Sequence, residues 1–248
     1  MPTSFDQLIK LIQHPIPISQ SIVRMWRGQG DISWPIHSSA YRRIARKRSV
    51  PTEENIRYYE QDLLMSATHR GFRDMNGRLL SDFELLARLQ HHGAATRLVD
   101  FTKNALVGLF FSVASCPKKT GLLIGLHTDF MGGYEGVPEQ RQYDEVFNGL
   151  EELKQPHTWE PPSVSPRITA QHSQFLYSVV SKQKTGSLWL SDSPYSYMAI
   201  ALSPSVKRKC LNVLSEVFDI RTTTLFPDLD GFGEANSHMK DQYSNCRW

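Results

Sequence analysis

The sequence predicts an α+β fold, with small mixed sheets flanked by helices. Three observations lead there. Segments with helical periodicity carry recognisable caps, short β-type runs lie between them, and the two do not alternate as regular strand–helix–strand units. The 248 residues include 40% hydrophobic and 21% charged side chains, a balance that suits a sizeable globular core. We expect a single domain over residues 1–248, with an irregular insertion at about 129–166.

The elements follow from local chemistry. Ser4 caps a helix running to Gln13, in which Phe5, Leu8, Ile9 and Ile12 recur at helical spacing. Ile22 to Trp26 reads as a strand, and Arg27-Gly-Gln-Gly30 stands at its exit. Trp34 to Ser39 is extended. Pro51-Thr-Glu-Glu opens a long helix to about Arg70, with Thr52 as the cap and the two acids at the positive end of the helix dipole. Ser81-Asp-Phe-Glu84 has the capping-box pattern and opens another helix, which Gly93 ends. On it, Leu85, Leu89 and His92 share one face, and Glu84, Arg88 and His91 share another. His92 is therefore expected inward and His91 toward solvent or a pocket rim.

Thr96 to Thr102 reads as a strand. Alternation puts Thr96, Leu98, Asp100 and Thr102 on one side, and Arg97, Val99 and Phe101 on the other. Asn104 to Ala114 is an apolar helix, and Gly121 to His127 a buried strand. The insertion holds Met131-Gly-Gly-Tyr, an acidic helical stretch from about Glu145 to Lys154, and a Pro-rich segment. Gln171 to Val180 and Ser196 to Ala201 are later strands. Ser203-Pro204 starts a helix to about Phe218, with proline in its favoured first position.

The net charge is only +3, so global charge does not single out a nucleic-acid binder. Arg42, Arg43, Arg46, Lys47 and Arg48 form a local basic run, and Lys207, Arg208 and Lys209 a smaller one. Each is either solvated surface or a phosphate contact. Cys116, Cys210 and Cys246 have no paired spacing, which argues against a zinc site or disulfide framework. A secretory pattern and long apolar runs are missing from the sequence, so a soluble, cytoplasmic protein without membrane contact is expected.

Chemistry concentrates in two places: Trp26-Arg-Gly-Gln-Gly30, and Leu89-Gln-His-His-Gly-Ala-Ala-Thr-Arg-Leu-Val-Asp-Phe-Thr102. Arg27 presents a planar fork to a phosphate, a carboxylate or ribose oxygens, or else pairs with a buried aspartate. Asp100 is a candidate partner. His91 and His92 point about 100° apart on a helix, so a shared metal ion is not expected. Each ring either packs as a hydrogen-bonded core group or positions a substrate and moves a proton. Thr102 either caps the next helix or binds a ligand. Gln171, Gln174 and Phe175 begin a strand. Glutamine there is suited to hydrogen-bonding an amide or a ribose hydroxyl.

Trp26-Arg-Gly-Gln, the Leu89–Thr102 segment with Asn104-Ala-Leu-Val-Gly-Leu-Phe-Phe111, and Arg167-Ile-Thr-Ala-Gln-His-Ser-Gln-Phe175 together resemble the FRG domain family. The agreement extends from about residue 20 to about residue 230. Trp26 stands for the phenylalanine of the eponymous Phe-Arg-Gly motif, Phe101 for a usual tryptophan, and Ser173 for a usual glycine. The resemblance implies a fold similar to ADP-ribosyltransferases and a toxin or anti-phage setting. It implies an NAD-dependent transferase acting on a nucleic acid or protein acceptor, nucleic acid slightly favoured by the Arg42–Arg48 run. Arg27, His92, Asp100 and Gln171 are then the catalytic candidates. Arg27, Gly28, Gln29, His91, Thr96, Arg97, Thr102 and Phe175 are the NAD-binding candidates. The transition-state glutamate common in such enzymes has no evident counterpart, and Asp100 is the best carboxylate near the motifs. A toxin would bring an antitoxin or chaperone partner. The alternatives are a metal-independent nuclease using His91 and His92 as acid and base, and a non-catalytic nucleotide-binding sensor.

Overall fold

The computed structural model describes residues 1–15, 23–46, 50–150, 155–162 and 165–238. Ile22, Lys47, Arg48, Lys154 and Cys246, named above, lie outside the described residues.

Helix α1 (Phe5–Ile12) starts where the Ser4 hydroxyl accepts from the Gln7 N–H. Strand β1 (Arg24–Gln29) follows, then α2 (Ser39–Ala45), α3 (Glu53–His69) and a small hairpin of β2 (Asp74–Met75) and β3 (Arg78–Leu79). Helix α4 (Asp82–His91) has both bonds of the capping box between Ser81 and Glu84, and Gly93 follows its end at φ +86°. Strand β4 (Val99–Thr102) leads into α5 (Ala105–Val113), which Asn104 caps, and then β5 (Gly121–His127). Helix α6 (Tyr143–Leu150), β6 (His157–Trp159), α7 (Pro166–Ala170), β7 (Ser173–Tyr177), β8 (Tyr197–Leu202), α8 (Pro204–Glu216), α9 (Thr222–Leu225) and α10 (Leu229–Ala235) follow in order.

The fold is α+β, but its strands do not form several small mixed sheets. Apart from the β2–β3 hairpin, they build a six-stranded sheet in the order β6-β7-β4-β1-β5-β8. Every ladder in it is antiparallel. Among the described residues, parallel pairing is confined to two isolated bridges, Ile36–Gly186 and Gly132–His157. The segment expected to be an irregular insertion is built into the core. Tyr143, Val146 and Phe147 of α6 and Trp159 of β6 pack with Phe83, Phe175 and Tyr177. Their apolar spacing around an acidic surface is what hid them.

The other two core clusters lie on either side of the central strands. Trp26, Leu123, Ile200 and Leu202 meet α5 and α8. Met25, Phe101, Ile124 and Leu176 pack with Leu188 and Leu190. The close approach of α5 to β1 explains Gly28. A β-carbon there would stand 2.0 Å from the Gly108 carbonyl oxygen and 2.4 Å from the Ser112 nitrogen. Gly28→Ala should therefore destabilise the fold by at least about 1–3 kcal/mol. A melting temperature equal to that of the wild type would contradict this contact.

Lys207 departs from both readings of its basic run, solvated surface and phosphate contact. It is buried, and its ammonium donates to the carbonyls of Gly30, Ser115, Cys116 and Lys119 at 2.7–3.2 Å. It ties α8 to the ends of β1 and α5. Arg208 and Lys209 beside it are exposed. Among the described residues no helix is long and apolar enough to cross a membrane.

Candidate functional site

The site forms where β1 and β4 part. β1 is laddered to β5 from Arg24 to Gln29, whereas it pairs with β4 at Trp26–Thr102. Alternation sends Trp26 and Gly28 toward α5 and Arg27 the other way. The Arg27 guanidinium donates to the Asp100 carbonyl oxygen at 2.7 Å and lies 6.0 Å from the centroid of the Phe101 ring. Its Nε is buried and without a hydrogen-bond partner. Burial lowers its pKa, Asp100 opposes this, and Arg42 adds to it. A guanidinium remains charged under any physiological condition.

Beyond Arg27 lies a cavity of about 360 Å³, toward the lower end of the range for small-molecule pockets. Trp26, Phe101, Phe111, Phe175 and Phe226 give it aromatic walls. Arg27, Gln90, His91, Asp100, Arg167 and Gln171 supply the polar groups.

Asp100 presents its carboxylate to this space. Gln90 Nε2 donates to Asp100 Oδ1 at 2.7 Å, and the Thr96 hydroxyl donates to Gln90 Oε1. The amide is thus fixed at both ends and holds the carboxylate in one orientation. Burial among the cavity walls raises the Asp100 pKa, and Arg27 and the Gln90 bond oppose the rise. Asp100 is nevertheless open to solvent through the cavity mouth. Its setting is crowded rather than sealed, so it stays reachable by a ligand.

Several expected site residues stand elsewhere. His92 is exposed at the end of α4, against the inward expectation, whereas His91 lines the cavity, in keeping with the expected pocket rim. His92 caps the helix end, where the regular helical angle no longer applies. The two rings meet edge to face at 4.9 Å. Thr96 is fully buried and acts on the site only through Gln90. Arg97 points away into the α3–α6 side, where it pairs with Glu53 and Glu60. Gln29 is buried, and its amide donates to the Trp34 carbonyl at 3.0 Å.

Gln171 lines the cavity, yet its amide is spent on the Leu225 carbonyl at 3.0 Å. It fastens the C-terminal segment instead of offering a free catalytic group. Thr102 also lines the cavity. Its hydroxyl donates to the Gln171 carbonyl and accepts from the Asn104 N–H, so it braces the approach to α5, whose cap is Asn104 itself. Phe175 and Gly28 are in the wall. Near Ser173 the left-handed backbone falls on His172, at φ +48°, so serine at the usual glycine position is unstrained. Among the described residues no group of three or more His, Cys, Asp or Glu side chains is placed to hold a metal ion.

Sequence reasoning missed Gln90, Arg167 and Asp228. Arg167 forms an ion pair with Asp228, and its guanidinium lies 5.1 Å from the Phe226 ring centroid. His91 Nε2 is 3.6 Å from Asp228 Oδ2. Gln90 and Arg167 both stood inside noticed segments. Asp228 is distant in sequence, and only the folded C-terminal segment brings it in.

Residues 23–120 match the family model described as the FRG domain. The chain carries an FRG domain. The matched span opens with β1 and ends after α5, so the FRG domain supplies Arg27, Gln90, His91 and Asp100. Arg167, Gln171, Phe175 and Phe226 come from chain beyond it and complete the cavity. No curated protein and no solved structure was found to match the chain.

Proposed function

We propose that the FRG-domain cavity binds the nicotinamide-ribose end of NAD and that the protein is an NAD-dependent ADP-ribosyltransferase with an ADP-ribosyltransferase-like fold. Its acceptor is a macromolecule, nucleic acid before protein, and its setting is that of a toxin or phage-defence effector. One observation carries the reading: the Asp100 carboxylate, fixed by Gln90, faces the same aromatic-walled cavity as the Arg27 guanidinium.

NAD supplies a ribose whose bond to nicotinamide breaks with positive charge developing on the sugar. Asp100 offsets that charge from a preorganised position. Arg27 holds ribose or phosphate oxygens. The phenylalanines offer flat faces to the departing ring and keep water from it. A cavity of about 360 Å³ takes part of a dinucleotide and leaves the rest at its mouth. Arg42 of α2 acts electrostatically on both Arg27 and Asp100, and the same helix carries Arg43 and ends at Arg46. This supports a phosphate-rich acceptor.

The nuclease alternative needs two histidines converging on one substrate, and of the two only His91 lines the cavity. Incubation with NAD and measurement of free nicotinamide tests the proposal. The wild type should release nicotinamide, and Arg27→Ala should not. NAD binding without release would favour a sensor, and RNA cleavage without NAD would favour the nuclease.

The pH dependence has a fixed sign. Asp100 acts as a carboxylate, so activity is lost as pH falls through its raised pKa. The acid limb of nicotinamide release should lie above the ordinary aspartate value of about 3.9. A limb at or below that value would remove Asp100 from this role.

A further inference from the structure

The geometry points to a phosphate subsite on the cavity wall, formed by Arg167, His91 and Ser165, which the chain occupies with its own Asp228 carboxylate. This deepens the nucleotide reading and depends on it only for the identity of the natural ligand.

Side chains of two separate segments meet at Asp228, and a third polar group stands on the cavity wall that both of them line. Arg167 of α7 sets its guanidinium against Asp228, with NH2 2.8 Å from Oδ1 and Nε against Oδ2. His91, at the end of α4, places Nε2 3.6 Å from the same Oδ2. Ser165 precedes α7 and lines the same cavity. It is nine-tenths buried, makes no cap bond to the helix, and its hydroxyl has no partner. An unsatisfied buried hydroxyl is costly unless something fills the space before it. A tetrahedral phosphate has more acceptor oxygens than the planar carboxylate. It would keep the Arg167 fork and give Ser165 Oγ an acceptor.

The surroundings fit an exchangeable occupant. Arg167 and Asp228 are 21% and 14% exposed, so the pair is reachable from solvent. Asp228 belongs to the C-terminal segment that also puts Phe226 into the wall. That segment is held by the Gln171 bond to the Leu225 carbonyl and by the Arg167–Phe226 contact. Neither hold needs the carboxylate. Asp230 Oδ2, exposed and 3.9 Å from Arg167 NH2, is a second carboxylate beside the fork. Burial, then Arg167 and His92, lower the His91 pKa, so the ring is a neutral hydrogen-bonding group near pH 7. It requires no charged partner when Asp228 leaves.

The test is calorimetric titration with ADP and with inorganic pyrophosphate. Asp228→Asn is the informative variant, because asparagine still caps the Gly231 N–H that Asp228 now accepts at 2.8 Å. It should bind ADP at least about tenfold more tightly than the wild type, since a phosphate no longer competes with an internal anion. Adding Arg167→Ala should remove the gain. Unchanged or weaker binding in Asp228→Asn, no binding in either protein, or tight binding that survives Arg167→Ala would each overturn the subsite. If Arg167→Ala fails to fold, His91→Gln in the Asp228→Asn protein decides: a loss of at least about threefold is expected, and no loss overturns the proposal. ADP binding with this pattern and no nicotinamide release would remove the transferase reading and keep the subsite. Release without an Asp228→Asn effect would do the reverse.

Discussion

Arg97→Met should destabilise the protein by about 3–5 kcal/mol, the usual cost of stripping one partner from a buried ion pair. The Arg97 side chain lies 2.6 Å from Glu60 and 2.8 Å from Glu53, and its guanidinium is 3.6 Å from the Phe147 ring centroid. Glu60 is 0% exposed and also accepts from the Arg97 backbone N–H and the Tyr143 hydroxyl. Without the guanidinium, a carboxylate remains buried with neutral donors only. The carboxylates around Arg97 outweigh its burial and hold it firmly charged, while Glu53 is held below the usual carboxylate range because Arg97 outweighs burial there. Denaturant titration should show a lower midpoint at unchanged slope. The double variant Arg97→Met with Glu60→Met should recover part of the loss, since apolar replacement of a whole buried pair is often neutral. A single-variant loss below about 1 kcal/mol would show that this network does not hold α3 and α6 to the sheet.

Asp100→Asn should lower nicotinamide release by about 100- to 1,000-fold, the range for removing one preorganised charge stabiliser from an active site. Asparagine keeps the shape and can still accept from Gln90, so NAD affinity should change little. The effect then falls on turnover and not on apparent affinity. Folding should not suffer. A carboxyl whose pKa is raised on folding opposes folding above its unfolded pKa, and asparagine removes that opposition. A stable Asp100→Asn protein with wild-type turnover would sink the catalytic assignment.

The main helices were legible because their ends are local chemistry. Ser4, Thr52, Ser81, Asn104 and Ser203 all accept from backbone N–H groups of their helices. β5 was legible as an apolar run bounded by glycine and histidine. The single large sheet was not, because strand order depends on pairings such as β4 with β7, which join Val99 to Leu176 across distant sequence. At the site, Arg27 and Asp100 were recognisable as polar groups in apolar surroundings, and the cavity brings them together. Arg97 looked equally unusual for the same reason, but its partners Glu53 and Glu60 are over 30 positions upstream and turned it into a structural group. Lys207 went the same way: a basic run in sequence, a buried clamp in space.

By itself the sequence determined the caps, the polar segments and the FRG motifs, since these rest on contacts within a few residues. The tertiary structure alone decided which charges face a ligand and which face each other. An arginine's role is set by the nearest carboxylate or carbonyl in space: Arg27 met a carbonyl at an open strand gap, Arg97 met two buried glutamates, and Arg167 met Asp228.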